Sequence, residues 1–328
     1  GFGGWSLDGS INGTLSSTEY PRRGGSAGGY GEDLDTRSLD GTRSWNPSQR
    51  VTMKAQGGVS LTRSRYYILG TYLNPPVPRD QDRQNYRLDG SYSPSQRFKT
   101  GLGLEVSRFL FVNIPAASTA ANTETRTYRS DWTWTFQILP GLTANQRNQV
   151  SADYVYYTFL PSTSDRLSLD YFTHTQLSAA ITPRLQLNLT HDHRYQPTGG
   201  YAPLDPPLDD GNSYFSQVDE NVTSSIRAGI TYTPTQALSI TITPDFSSSQ
   251  RQSISEGVAV PQRESRNLNF TGGANLNLPV GRRGQLTGTL SRSFRSDRST
   301  TYVSGVPDIR PVSEIDYWVG HLEFSWSL

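Results

Sequence analysis

The last eleven residues, WVGHLEFSWSL (Trp318–Leu328), divide cleanly when every second residue is taken. Trp318, Gly320, Leu322, Phe324, Trp326 and Leu328 form one set; Val319, His321, Glu323, Ser325 and Ser327 form the other. A period of two is the signature of a strand whose faces meet different surroundings. The same alternation recurs along the chain. Trp5, Leu7, Gly9, Ile11, Gly13 and Leu15 stand against Ser6, Asp8, Ser10, Asn12 and Thr14. Val51, Met53, Ala55, Val59 and Leu61 alternate with Thr52, Lys54, Gln56, Ser60 and Thr62; Trp132, Trp134 and Phe136 alternate with Asp131, Thr133 and Thr135. Leu268, Phe270, Ala274 and Leu276 alternate with Asn267, Asn269, Asn275 and Asn277. These runs outlast the usual globular strand of about 5–6 residues.

Two kinds of break separate the runs. Short ones are often built on proline: NPSQ (46–49), SPSQ (93–96), LPGL (139–142), TPR (182–184), TPTQ (233–236) and PVGRRG (279–284). Proline presets a turn and cannot serve a central ladder. Long polar ones lie near 18–35, 73–84, 113–123, 160–165, 198–216, 252–263 and 299–312, alternating with the short ones. The spacing predicts strands at about 4–17, 36–45, 50–72, 85–92, 97–112, 124–138, 143–159, 166–181, 184–197, 217–232, 237–251, 264–278, 285–298 and 313–327, fourteen in all. Leu39-Asp40-Gly41 leading to Pro47-Ser48-Gln49-Arg50 is echoed by Leu88-Asp89-Gly90 leading to Pro94-Ser95-Gln96-Arg97, as expected of repeating hairpins. A propeller would place four short strands in a unit of this length; here there are two long ones.

Short and long connectors in alternation, an even strand count and an aromatic, alternating last strand resemble a Gram-negative outer-membrane β-barrel of the porin-like kind. The resemblance spans the chain at the level of fold. It implies an all-β, closed, antiparallel up-and-down transmembrane barrel of about 14 strands, forming one domain over residues 1–328, with short periplasmic turns and long extracellular loops. Such barrels commonly end in an aromatic residue that the insertion machinery recognises; here the register is kept and Leu328 holds the last place. The implied location is the bacterial outer membrane. The implied partners are outer-membrane lipid including lipopolysaccharide, the barrel-insertion machinery and other envelope proteins. Trp132, Trp134, Trp318, Phe324 and Trp326 are expected to face lipid or join the aromatic belts, with Trp5, Trp45, Tyr92, Tyr128, Tyr154, Tyr156 and Tyr232 as further belt residues. The competing reading is a soluble sandwich, whose core would have to be packed from many Gly, Ala and Thr.

Composition fits the inverted arrangement. Only 34% of residues are hydrophobic, yet 11% are aromatic, and mean hydropathy is −0.58. Soluble domains run nearer 45–50% apolar. No run approaches the roughly 20 residues of a membrane helix. A net charge of +1 makes no case for nucleic acid, and the absence of cysteine excludes disulfides and thiolate metal sites. The chain opens at Gly1 without a Met or leader, so we expect a processed or trimmed chain, with room for a segment or domain before residue 1.

The polar set supplies candidates for a lumen wall: Asp8, Lys54, Arg87, Asp89, Glu105, Arg129, Asp131, Asp153, Asp170, Asp192, Arg227 and Glu323, with Asp40 and Arg295 beside them. Mixed charge across a passage favours small hydrophilic solutes; equally, Arg87 with Asp89, or Arg129 with Asp131, neutralise each other. His191-Asp192-His193 places two imidazoles on one strand face; His191 continues the row Leu185, Leu187, Leu189, so both rings are expected outside and no metal is expected. There is no G-x-S-x-G motif, and His174 among many serines nominates no nucleophile, so neither enzyme chemistry nor a cofactor is expected. The acidic DPPLDDGN (205–212) lacks the ligand spacing of an EF-hand. Arg22, Arg23, Arg79, Arg83, Arg263 and Arg266, in or near long breaks, suit lipid phosphates or plain solubility. The segments 18–35 and 198–216 are candidate plugs. The expected function is passive diffusion of small hydrophilic solutes. The alternatives are a barrel component of an export or surface complex that houses a partner chain or polymer, and a structural surface protein acting through its loops.

Overall fold

The computed structural model describes residues 5–21, 28–70, 78–113, 122–157, 165–203, 213–255, 258–280, 284–303, 306–310 and 312–326. One antiparallel sheet contains fifteen strands among them: β1 (Trp5–Pro21), β2 (Gly28–Ser48), β3 (Val51–Gly70), β4 (Arg79–Ser95), β5 (Phe98–Asn113), β6 (Thr123–Leu139), β7 (Leu142–Tyr157), β8 (Arg166–Thr182), β9 (Leu185–Pro203), β10 (Ser213–Thr235), β11 (Leu238–Ser255), β12 (Val258–Val280), β13 (Gly284–Val303), β14 (Val306–Ile309) and β15 (Ser313–Trp326). Each strand from β1 to β13 pairs with its sequence neighbour, and β15 pairs with β13. Among the described residues no helix is long and apolar enough to cross a membrane.

The fourteen expected strands are present in order. The fifteenth, β14, is a four-residue strand inside the 299–312 break that folds back on the upper end of β13. Closure differs from expectation. Among the described residues β1 pairs only with β2, and β15 only with β13, so the sheet has two free edges. Hairpin registers are dictated locally by short turns. Closure would join the two ends of the chain, where no turn sets a register.

Several strands also outrun their expected limits. The residues read as 18–35 are largely ladder: Thr18 pairs with Glu32 and Pro21 with Gly29. In 198–216, Pro203 pairs with Ser213. Polar composition marks water, not the end of hydrogen bonding; these hairpins continue upward with hydrophilic side chains. The paired parts of both plug candidates extend hairpins, while 22–27 and 204–212, including Arg22, Arg23 and most of DPPLDDGN, lie outside the described residues. Even Pro261 is kept, beside the irregularity where β11 and β12 change register.

The PSQR repeat has a local cause. The Arg50 N–H donates to Ser48 Oγ at 3.2 Å, Arg97 N–H to Ser95 Oγ at 3.3 Å, and Arg184 N–H to Thr182 Oγ1 at 3.2 Å. A hydroxyl accepting from the backbone two residues on closes each tight turn. The turns are then linked sideways. The carbonyls of Arg50, Arg97, Gly141, Arg184 and Ala237 accept backbone N–H bonds of 2.6–2.8 Å from Ser93, Gln137, Ala180, Thr233 and Asn277 of the next hairpins.

Rows of directly opposed residues climb as they cross the sheet. One runs Trp45, Met53, Gly90, Leu102, Trp132, and continues Asn148, Thr173, His193, Ser224, Ser248, Arg266, Arg298. It enters three residues from the lower end of β2 (48 − 45) and leaves fourteen above the start of β13 (298 − 284). This steady stagger is the geometry of strands tilted for a barrel. The row turns polar as it rises out of the apolar band.

Gly141 has φ of 81°, and an added Cβ would lie 2.8 Å from the Ala180 carbonyl oxygen. Gly41 has no atom within 4 Å of such a Cβ. Gly141→Ala is expected to lower unfolding stability by about 1–2 kcal/mol in urea titrations of the refolded protein, and Gly41→Ala to leave the midpoint unchanged or higher.

Candidate functional site: the hydrophilic face

Directly opposed residues share a face, so the register sorts every side chain. Asp8, Thr42, Gln56, Arg87, Glu105, Arg129, Ser151 and Asp170 stand opposite one another on eight successive strands, all polar. All twelve charged candidates from the sequence fall on this face. The described side chains of Trp132, Trp134 and Trp318 fall on the other. Phe324 and Trp326 pair with Leu286 and Gly284, and their side chains lie outside the described residues.

The two faces have opposite characters. Apart from Pro197, Leu167 is the only buried aliphatic or aromatic residue among the described residues, whereas Asp131, Ser151 and Ser64 are buried. Leu102, Leu104, Val106, Trp132, Leu189, Phe246, Leu268, Leu290 and Leu322 are all exposed, Leu322 to 71%. Scattered exposed leucines are ordinary; a band across most of a sheet is not.

The hydrophilic face is organised by ion pairs. Arg87 reaches Asp89 at 2.8 Å and Glu105 at 3.2 Å. Gly103 makes room for this cluster: a Cβ there would lie 2.9 Å from Asp89 Oδ1 and 3.2 Å from Arg87 Nη2. Asp131 pairs with Arg147 at 2.9 Å, Asp170 with Arg194 at 2.7 Å, and Asp245 with Arg227 at 2.6 Å. His174 Nδ1 lies 2.6 Å from Asp192 Oδ1, and Thr127 Oγ1 donates to Asp153 Oδ1. Lys54 stands opposite Asp89. At the free edges Asp8, His321 and Glu323 are exposed; His321 and Glu323 approach to 3.8 Å.

The neutralisation expected for Arg87 with Asp89 is present. The one between Arg129 and Asp131 is not. Asp131 turns across the strand to Arg147, and Arg129 Nε is buried without a hydrogen-bond partner. Asp131 stands opposite Gln149, and Arg147, diagonal to it on β7, reaches across with its long side chain to take the carboxylate. Arg147, Arg194 and Asp245 were missed in the sequence. Simple parity finds each: Arg147 shares a face with Asp153, Arg194 with Asp192, and Asp245 sits four hairpin positions below Ser249.

Hollows lined by described residues lie on this face, and three of them matter here. One of about 360 Å³ is lined by Asp40, Thr42, Gln56, Ser60, Arg83 and Arg87. A second of about 620 Å³, near the short turns, is lined by Gln137, Thr143, Ser178, Gln186, Asn188 and Thr231. The third, of about 280 Å³, spans β8 to β12. His191 and His193 are on the apolar side, with rings 6.4 Å apart and His191 Nε2 3.3 Å from Ser224 Oγ. Among the described residues no three His, Asp or Glu side chains cluster to hold a metal ion.

Solved structures similar to the chain include the copper transporter OprC, 10% identical with a TM-score of 0.42, covering 98% of this chain and 74% of that one. The ferric-catecholate import receptor Fiu of E. coli K12, in its closed form, is 8% identical with a TM-score of 0.49; all of this chain matches 62% of that one. OmpT, an outer membrane protein of Vibrio cholerae, is 6% identical with a TM-score of 0.37, covering 98% of this chain and 99% of that one. No family model matches the sequence, and no curated protein is similar to it in sequence.

The pairing of Asp131 has a measurable signature. Its side chain is 11% exposed while that of Arg147 is 48% exposed. Arg147→Ala is expected to cost more than Asp131→Ala, because it leaves a carboxylate buried and alone. The double-mutant cycle should return a coupling of about 1 kcal/mol, held down by solvent screening at the arginine. A coupling near zero in reversible urea unfolding would contradict the pairing.

Proposed function

We propose that the chain forms a transmembrane β-barrel of a bacterial outer membrane, with β1 and β15 meeting to close it, and that its hydrophilic face lines a passage for small hydrophilic solutes. The observation that carries this reading is the inversion of burial: among the described residues Asp131, Ser64 and Ser151 are buried while the leucine and tryptophan band is exposed. Water penalises such a band; hydrocarbon favours it, and turns the polar face toward a lumen.

Details on the apolar face support the same environment. Trp132 Nε1 donates to Thr100 Oγ1 at 3.1 Å, and Thr100 Oγ1 donates to the Thr133 carbonyl at 3.0 Å, so polar groups there are satisfied within the sheet. Two compensated groups of charges on this face lie beside rings. Arg126 shares Glu124 with Arg108 and lies 5.2 Å from the Tyr156 ring centroid, near Tyr128 and Tyr154. Arg292 pairs with Asp316 at 2.7 Å and lies 5.4 Å from the Trp318 ring centroid. Aromatic and cationic side chains of this kind anchor a protein at a membrane interface. Fourteen long strands fall between the eight that only enclose side chains and the 16–18 that hold a wide channel. Transport is then by diffusion, with ion pairs shaping the field and no turnover.

A second reading, a barrel component that houses a partner chain, is favoured by the two free edges, each able to accept a strand. Single-channel recording separates the two. The pore reading expects steady, salt-dependent conductance, and Arg129→Glu should shift the reversal potential toward cations. A bilayer silent until a bound chain is removed supports the second reading. The lipid contact has its own test: Leu104→Lys should lower stability in bilayers by about 2–4 kcal/mol, while Ser107→Lys on the hydrophilic face costs far less. Equal costs would refute the assignment of faces.

A further inference from the structure

The hollow across β8 to β12 differs from the other two in chemistry. Two adjacent register rows build it. One runs Phe172, Arg194, Thr223, Ser249, Ser265 on five successive strands. The other runs His174, Asp192, Ser225, Ser247, Asn267. Neighbouring strands lie about 4.8 Å apart, so hydroxyl and amide groups form a two-row grid with an aromatic ring at one end.

The charges in the grid are already engaged. Arg194 gives two hydrogen bonds to Asp170, of 2.8 and 2.7 Å, and Asp192 holds His174. The His174 ring stacks with Phe172, centroids 6.4 Å apart at 26°, which steadies the aromatic plane at the end of the shelf. Ser249 and Ser265 Oγ lie 3.2 Å apart. Thr223, Ser225 and Ser247 remain as hydroxyls open to the hollow of about 280 Å³. Hydroxyls both donate and accept. An anion would find its one cation already chelated, and a cation would find its carboxylates occupied. What fits is an uncharged molecule carrying many hydroxyls and one weakly polar C–H face: the hydroxyls meet the serine rows and the C–H face lies on Phe172. Pockets of this make-up, a small apolar surface with convergent polar groups, orient a ligand.

From this we infer that the Phe172–serine shelf is a binding site for neutral saccharides, so that the passage concentrates sugars rather than passing hydrophilic solutes indifferently. The inference rests on the pore reading for its role in transport, but binding itself does not require conductance.

The test therefore has two readouts. Sucrose, raffinose and maltotriose are added to one side of a planar bilayer holding the protein, and binding of the same sugars to the detergent-solubilised protein is measured calorimetrically. At least one sugar is expected to bind and to interrupt the current in a concentration-dependent way. Phe172→Ala, and Ser225→Ala with Ser247→Ala, should each weaken binding roughly tenfold, the effect of losing one stacking surface or hydrogen bond. Phe172→Tyr should retain it, which separates stacking from misfolding. Conductance without interruption, and no calorimetric binding, overturns the saccharide site and leaves the pore. Absent conductance with binding lost in Phe172→Ala overturns the pore and upholds the site. Binding that Phe172→Ala and the double serine variant leave intact overturns the site.

Discussion

On the membrane reading proposed above, an amide in hydrocarbon has no solvent to bond with, and that one constraint accounts for much else in the molecule. Every N–H and C=O at that depth would need a partner in a neighbouring strand, and the chain is one continuous antiparallel ladder from β1 to β13 with β15 joined to it. The ladder explains why hairpins persist through proline and glycine that would end a soluble strand. It explains the linked lower turns, whose carbonyls are taken up by the following hairpin. It also gives meaning to the two edges at β1 and β15, free among the described residues: in the proposed membrane setting each would have to be paired.

Once the backbone is satisfied, side chains distribute by solvent rather than by packing. With only Leu167 and Pro197 buried among the described aliphatic residues, stability owes little to a hydrophobic core. The hydrophilic face replaces that core with ion pairs. Arg87, Arg147, Arg194 and Arg227 each hold a carboxylate from the same or an adjacent strand. Each pair is half in water and worth little by itself. Together they leave the face hydrophilic and close to neutral. Glycine contributes by omission at Gly103, where a guanidinium and a carboxylate occupy the space of a side chain.

The three hollows of the hydrophilic face thus carry different chemistries within one architecture. Near the short turns the lining is amide and hydroxyl; near β2 to β4 it includes Arg83 and Asp40; across β8 to β12 a phenyl ring joins rows of hydroxyls. The tilt of the strands causes this variety. A register row climbs as it crosses the sheet, so residues at equal height come from different rows, and neighbouring strands bring different parts of the sequence to the same level.

Alternation alone determined the face of every charged candidate, because a period of two leaves a strand residue only two directions. It determined the order of the long strands as well, since short and long breaks cannot be exchanged without turning a hairpin over. Three features were decided only in three dimensions. Strand ends ran past the predicted breaks, because the ladder depends on a partner strand and not on composition. Asp131 chose Arg147 over Arg129, and Phe172 came to line one hollow with serines of three other strands, because residues far apart in sequence become neighbours only once the registers are set. Whether the first strand meets the last is of the same kind: no local turn joins them, so nothing short-range in the sequence encodes their register.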